Sequence, residues 1–191
     1  MKIFGPLYDR VLSWSRHPNA SWYLGAISFA ESSFFLIPPD VMLAPMALAR
    51  PQHWFRLALL TTLTSVLGGL FGYLIGWAAM DAVMPWVERM GYAPKLAEAT
   101  LWFEQWGFWA VVLAGFSPIP YKAFTITAGG LSMALLPFTL ASIIGRGGRF
   151  FLVAFLMAKL GPAAEAKLKP IIEWLGWGTV VLAVVAYLLL R

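Results

Sequence analysis

The apolar positions along this 191-residue chain fall into long runs cut by short polar breaks. Residues 20–37 are apolar apart from Glu31 and several small hydroxyl residues, and Pro38-Pro39-Asp40 then interrupts the run. Residues 41–49 are apolar again and end at Arg50-Pro51-Gln52-His53. A helix crossing a membrane needs about 20 apolar residues, so the second arm is too short to cross alone. A single broken helix and a re-entrant hairpin both fit. The centred break favours re-entry, because non-helical backbone at depth is tolerated only in a protein-lined or watery cavity. Residues 57–80 carry no charge and predict an uninterrupted span, with Gly68, Gly69, Gly72 and Gly76 recurring at roughly one helical turn as a small-residue packing face. Residues 81–105 turn polar, with Asp81, Glu88, Arg89, Lys95, Glu98 and Glu104 beside Pro85 and Pro94. They predict an extramembrane linker with a short amphipathic helix.

The pattern then repeats. An apolar lead over 106–116 meets the break Ser117-Pro118-Ile119-Pro120-Tyr121-Lys122, and a second apolar arm follows over 123–136. Residues 138–158 predict a span that carries Arg146 and Arg149. Residues 159–172 are polar and basic, and 173–190 predict a last span. Before all of these, Ile3, Phe4, Leu7, Val11, Leu12 and Trp14 predict an amphipathic helix in the membrane interface, with Lys2, Asp9, Arg10 and Arg16 toward water. The breaks at Pro38, Pro39 and at Pro118, Pro120 are about 80 residues apart, as are Gly68-Gly69 and Gly147-Gly148. Interrupted segments in matching positions of two halves are the mark of transporter repeats. The expected fold is therefore all-α integral membrane, with two inverted repeats, each a proline-broken re-entrant helical hairpin plus a transmembrane helix, and a C-terminal transmembrane helix. It forms one domain over 1–191: an amphipathic N-terminal helix (1–19), first repeat (20–80), linker (81–105), second repeat (106–158), and amphipathic linker with last transmembrane helix (159–191).

Composition agrees with this reading. Hydrophobic residues make up 60% of the chain and charged ones 12%, with mean hydropathy +0.74, whereas soluble domains carry about 25% charged residues. The net charge of +5 is therefore a matter of sidedness rather than of nucleic-acid binding. If each glycine span crosses once, Lys2, Arg10, Arg16, Arg50, Arg56, Lys159, Lys167 and Lys169 share one side. The other side receives Arg89, Lys95 and Arg191 with four acids. The positive-inside rule makes the first side cytoplasmic. Two full crossings per broken segment would give the same parity, so charge supports the sidedness and leaves re-entry open. The N-terminus has no uninterrupted apolar core, so a cleavable signal peptide is not expected.

Five charged residues belong to no loop: Glu31, Asp40, Lys122, Arg146 and Arg149. Both acids lie in the first broken segment and all three bases in the second half. Opposed repeats would bring them together near the midplane. Carboxylates in a low dielectric exchange protons near neutral pH, so Glu31 and Asp40 are the proton-coupling candidates. Arginine gives permanently charged, bidentate contact with phosphate, so Lys122, Arg146 and Arg149 are the phosphate-binding candidates. Helix N-termini at the breaks would add backbone N–H donors. The competing reading is that these charges pair with one another and only fix helix packing. Asp40 alone would also serve as the cap of the helix that follows it. Tyr121 reads as an interfacial anchor or packing residue, and Thr125 and Thr127 either add polar contacts or bond to their own helix.

These residues resemble the DedA family, the SNARE-associated or VTT-domain membrane proteins, over roughly residues 20–158. Glu31 with Pro38-Pro39-Asp40 is similar to the acidic, proline-broken first segment of that family. Phe116 to Lys122, Ala128-Gly129-Gly130-Leu131-Ser132-Met133 and Phe138 resemble its second half. The family often has arginine three residues either side of the break, where this chain has Ser117 and Ala123. Arg146 and Arg149 are then expected to take over anion binding, in a short, divergent branch. The resemblance implies two opposed re-entrant hairpins, a multi-pass protein of the bacterial inner membrane, and transport of lipid-linked phosphate, chiefly undecaprenyl phosphate, coupled to protons.

The expected partners are thus a membrane lipid or polyprenyl phosphate and protons, with no nucleic acid; a homo-oligomer is compatible with the chain. Two other functions fit the same residues: a proton-coupled carrier of a small ion or osmolyte, and a membrane assembly or scaffold protein with structural charges. Enzyme chemistry is not expected. His17 and His53 flank prolines in loops, no G-x-S-x-G, H-E-x-x-H or P-loop occurs, and there is no cysteine. No clustered ligands suggest a metal, and no cofactor is implied.

Overall fold

The computed structural model describes residues 19–34, 37–117 and 120–160. The amphipathic N-terminal helix, the last transmembrane helix and Pro118 lie outside the described residues.

Helix α1 (Ala20–Ser33) ends where Phe34 leaves helical geometry and its N–H closes on the Ala30 carbonyl. The two prolines that follow resist helix continuation, but a proline suits the start of the next helix. Pro39, fully buried, stands at that start with φ −65°, and α2 runs Asp40–Ala49. A 3₁₀ turn (Pro51–His53) leads into α3 (Trp54–Arg89). Helix α4 (Ala93–Phe116) ends at Ser117 in extended backbone, and α5 (Tyr121–Gly130) resumes after the second break. Ser132, at φ 54°, turns the chain, and α6 (Leu135–Leu160) follows. No strand occurs among the described residues.

The stretch 81–105 differs from its sequence reading. Its polar residues lie on the ends of two long helices rather than on one short helix. Helix α3 continues through Pro85 to Arg89 and is 36 residues long, about 54 Å at roughly 1.5 Å per residue. The turn is only Met90–Tyr92. Gly91 adopts φ 72°, Gly91 N–H donates to Glu88 O (3.0 Å) and Tyr92 N–H to Val87 O (2.9 Å), which is a glycine-terminated helix end. Polarity there marks exposure, and good helix formers such as Ala, Leu, Glu and Lys keep the backbone helical regardless.

Helix α3 packs on α1 and α5, α6 packs on α4 and α2, and α3 and α6 pack on each other. One apolar cluster joins Leu24, Met42, Leu43, Met46, Leu57 and Phe150; a second joins Tyr73, Phe103, Val111, Tyr121 and Phe138. Small residues permit the close helix crossings. A Cβ on Gly68 would press on the Phe29 backbone of α1, and one on Gly145 on the Val112 backbone of α4.

The distribution of polarity is the reverse of a soluble bundle. Leu59, Leu63, Leu67, Phe71 and Leu74 form an exposed stripe on α3, and Leu136, Leu140, Ile143 and Ile144 another on α6. Inside lie Ser28, Ser32, Ser33, Thr61, Ser65, Thr125, Ser142 and Arg146. Exposed apolar surface on this scale is stable against hydrocarbon, where hydroxyls and charges are the groups that gain from burial in protein. The helices Pro51–Arg89 and Leu135–Lys159 are long and apolar enough to cross a membrane.

Candidate functional site

The α1–α3 contact is a ladder of hydroxyls. Ser28 Oγ donates to Thr61 O (2.7 Å), Ser32 and Ser65 share a hydrogen bond of 2.7 Å, and Ser33 Oγ donates to Gly68 O (2.9 Å). Small hydroxyl residues suit such an interface because they bring backbones close and still satisfy one another. Glu31 lies beside this ladder on α1, half-buried.

Arg146 reaches the ladder from α6. Its Nε donates to Ser65 Oγ (2.6 Å), and its Nη2 donates to Glu31 Oε2 and, at 3.4 Å, to Ser32 Oγ. The guanidinium also lies over two rings, 4.9 Å from the Tyr121 centroid and 4.6 Å from that of Phe150. These rings belong to different apolar clusters, so Arg146 sits where the two meet. Its side chain is 3% exposed and that of Glu31 is 15% exposed. A buried charge this well satisfied stays in place, since losing either partner strands the other in a low dielectric.

Arg149, one turn further along α6, makes a second and more open pair. Its Nη2 donates to Asp40 Oδ2 (2.8 Å) and its Nε reaches Oδ1 (3.4 Å). The same guanidinium donates through Nη1 to Ser117 O (2.7 Å). Asp40 opens α2 just after the first break, and Ser117 ends α4 just before the second. One side chain therefore ties both breaks together. The Arg149 and Asp40 side chains are 21% and 20% exposed.

Four of the five charges singled out in the sequence thus meet, as Glu31–Arg146 and Asp40–Arg149. Pro39 occupies the cap position of α2 and Asp40 its first turn; the Asp40 carboxylate pairs with Arg149, so capping is not its only role. Lys122 lies half-buried in the first turn of α5, directly after the second break, and its carbonyl accepts from Thr125 Oγ1 at 3.0 Å. Thr125 also reaches Ser32 O at 3.4 Å, while Thr127 is exposed. Pro38 and Pro120 are exposed beside their breaks. The expected anion donors at the start of α2 are already used: Val41 N–H bonds to Pro38 O, and those of Met42 and Leu43 to Pro39 O.

Sequence reading missed the hydroxyls that hold Arg146, Ser32 and Ser65. The signal for Ser32 was the serine pair that follows Glu31 in an otherwise apolar segment, and that for Ser65 the hydroxyl cluster Thr61, Thr62, Thr64 and Ser65 within the uncharged span. Tyr121 is fully buried in an apolar cluster, which agrees with the packing alternative and not with the interfacial one. It donates to Ser142 Oγ (2.5 Å) and stacks its ring on Arg146. No group of three or more acidic or histidine residues placed to hold a metal occurs among the described residues.

An apolar exterior around a charged, hydroxyl-lined interior, with two interrupted helix pairs converging on it, defines a membrane protein with a buried polar site between its halves. Residues 37–159 match the VTT domain, and the chain belongs to that family, the DedA family. A protein of Haemophilus influenzae is 49% identical over 191 residues, covering all of both chains. One from Histophilus somni is 46% identical with the same coverage. Undecaprenyl phosphate transporter A of Staphylococcus aureus is 32% identical over 124 residues, 60% of this chain and 61% of that one. The family thus includes a membrane transporter. No solved structure matches the chain at a significant level.

Proposed function

We propose that this protein carries a lipid-linked phosphate, undecaprenyl phosphate or a related phospholipid, across the bacterial inner membrane in exchange with protons. The observation that carries this reading is the site itself. Carboxylates from the first broken segment meet arginines of the second half in the interior of a membrane protein, next to both helix breaks. Ionisable groups at such a depth are costly to keep and usually serve transport. Arg149 and Lys122 take the phosphate head group, and the apolar tail stays in lipid. Arg146 supplies the fixed charge that holds Glu31 and the site's walls. Glu31 and Asp40 exchange protons, and Asp40, in the more open pair, gives up its basic partner as the head group passes.

The exchange of packing partners supports the inverted-repeat reading. Each long span touches the first arm of its own half and the second arm of the other: α3 with α1 and α5, α6 with α4 and α2. On this reading the broken pairs are re-entrant hairpins, the chain is multi-pass and the N-terminus is cytoplasmic. The 32% identity to an undecaprenyl phosphate transporter over 124 residues supports the substrate class.

Proteoliposome flux tests the proposal. Reconstituted protein should move a short-chain prenyl monophosphate between leaflets, faster with a pH gradient than without. Arg149→Gln should slow that flux by about tenfold or more, the order expected for one charge-assisted contact. Flux of a small ion or osmolyte without any lipid flux would replace this reading with the carrier alternative. Folded protein with no flux of either kind would favour an assembly role.

A further inference from the structure

The two ion pairs are not equivalent, and their difference has a functional consequence. Arg146 is saturated: a carboxylate, two serine hydroxyls and two aromatic faces surround it, and its side chain is 3% exposed. Arg149 has no such enclosure. Its Nε–Nη2 edge is spent on one carboxylate, and both members of that pair are about one-fifth exposed. That edge is the face of guanidinium that matches either a carboxylate or a phosphate through two parallel N–H donors. The residue that holds the third nitrogen of this guanidinium carries an unused group. Ser117, whose carbonyl holds Nη1 of Arg149, has a buried Oγ without a partner among the described residues. A buried hydroxyl left unsatisfied is costly, so this group has a hydrogen bond to give to a water or a ligand.

From this geometry we infer that Asp40 is an internal stand-in for the substrate's phosphate. In the substrate-free protein its carboxylate occupies the Nε–Nη2 edge of Arg149. An arriving prenyl monophosphate displaces it, takes that edge, and accepts a further hydrogen bond from Ser117 Oγ. This deepens the proposed function and rests on it. The displacement also has a mechanical result. Arg149 ties the start of α2 to the end of α4 only while Asp40 is its ligand. Once phosphate takes the edge, the first break loses its tie to Arg149 and the second stays held through Ser117 O. When Asp40 returns, it expels the phosphate. Asp40 thus weakens binding and speeds release, and Glu31, held by the enclosed Arg146, does neither.

The test is an affinity series on the full-length protein in nanodiscs, with farnesyl phosphate as probe, and farnesol and inorganic phosphate as controls. Wild type should bind farnesyl phosphate and not farnesol. Asp40→Asn should bind farnesyl phosphate about tenfold more tightly, the order of one charge-assisted competitor removed, while its maximal flux in proteoliposomes falls. Ser117→Ala should bind severalfold more weakly. Glu31→Gln should show no tightening. Asp40→Ser serves as a second variant should Asp40→Asn fold poorly. If wild type binds farnesyl phosphate but both Asp40 variants bind it equally or more weakly, the stand-in role is overturned and the proposed function survives. If wild type binds farnesyl phosphate no better than farnesol, the proposed function itself fails. Inorganic phosphate binding as tightly as farnesyl phosphate would overturn the lipid assignment. The Asp40→Asn shift, read with that ion, would still decide the exchange.

Discussion

Arg146 shows how a charge is kept inside this protein. Its partners come from three elements: Glu31 and Ser32 on α1, Ser65 on α3 and the Tyr121 ring on α5. Removing the arginine leaves Glu31 buried without its counter-ion. Arg146→Met should therefore cost about 3–5 kcal/mol of stability, the usual result of breaking a buried pair from one side. The double change Glu31→Met with Arg146→Met should recover most of that, because Ser32 and Ser65 still satisfy each other at 2.7 Å. Thermal unfolding of the two variants in detergent checks this; a double variant as unstable as the single one would mean that the pair itself, and not its uncompensated half, holds the helices. The ionisable residues were legible in the sequence because a charge in an apolar run stands out. Their partners were not. Glu31 and Arg146 are 115 positions apart, and Asp40 and Arg149 are 109 apart, so only the packing of α1, α2 and α6 decides which acid meets which base.

At the scale of elements, the proline breaks were the most readable feature. Pro39 can start a helix but not continue one, and Ser117 before a proline adopts the extended backbone that such a position favours. In the polar stretch 81–105 the length of the helices was not legible, because exposed helix and exposed loop share a composition. Only the glycine turn at Gly91 ends α3, and it carried a signal that the surrounding charges obscured. The span contacts were legible as small residues but not in their targets. Gly68 faces the Phe29 backbone so closely that a methyl group has no room. Gly68→Ala should destabilise the α1–α3 contact by about 1–3 kcal/mol, as overpacking does. Because Ser33 Oγ bonds to Gly68 O, the Ser28–Ser33 ladder should loosen with it. A melting temperature that falls for Gly68→Ala and not for Gly147→Ala, whose Cβ would meet only Thr62 Cγ2 at an ordinary 3.5 Å, is the expected outcome.

At the scale of the whole molecule, two apolar clusters flank a polar centre, and the exterior is apolar again. Close van der Waals packing holds each cluster, and the lipid-facing stripes contribute nothing between helices, since hydrocarbon solvates them as well as protein does. What joins the halves is therefore the polar centre together with close helix crossings. This arrangement places the Glu31–Arg146 and Asp40–Arg149 pairs between the halves, the second of them joining the two breaks. The account's central claim is that a lipid phosphate reaches that place. Photo-crosslinking with a diazirine-bearing prenyl monophosphate, followed by peptide mapping of the full-length protein in nanodiscs, tests it most directly. The predicted result is label concentrated within residues 37–41 and 114–123, removed by excess farnesyl phosphate and not by farnesol. Label spread along the exposed stripes of α3 and α6, indifferent to farnesyl phosphate, would contradict it.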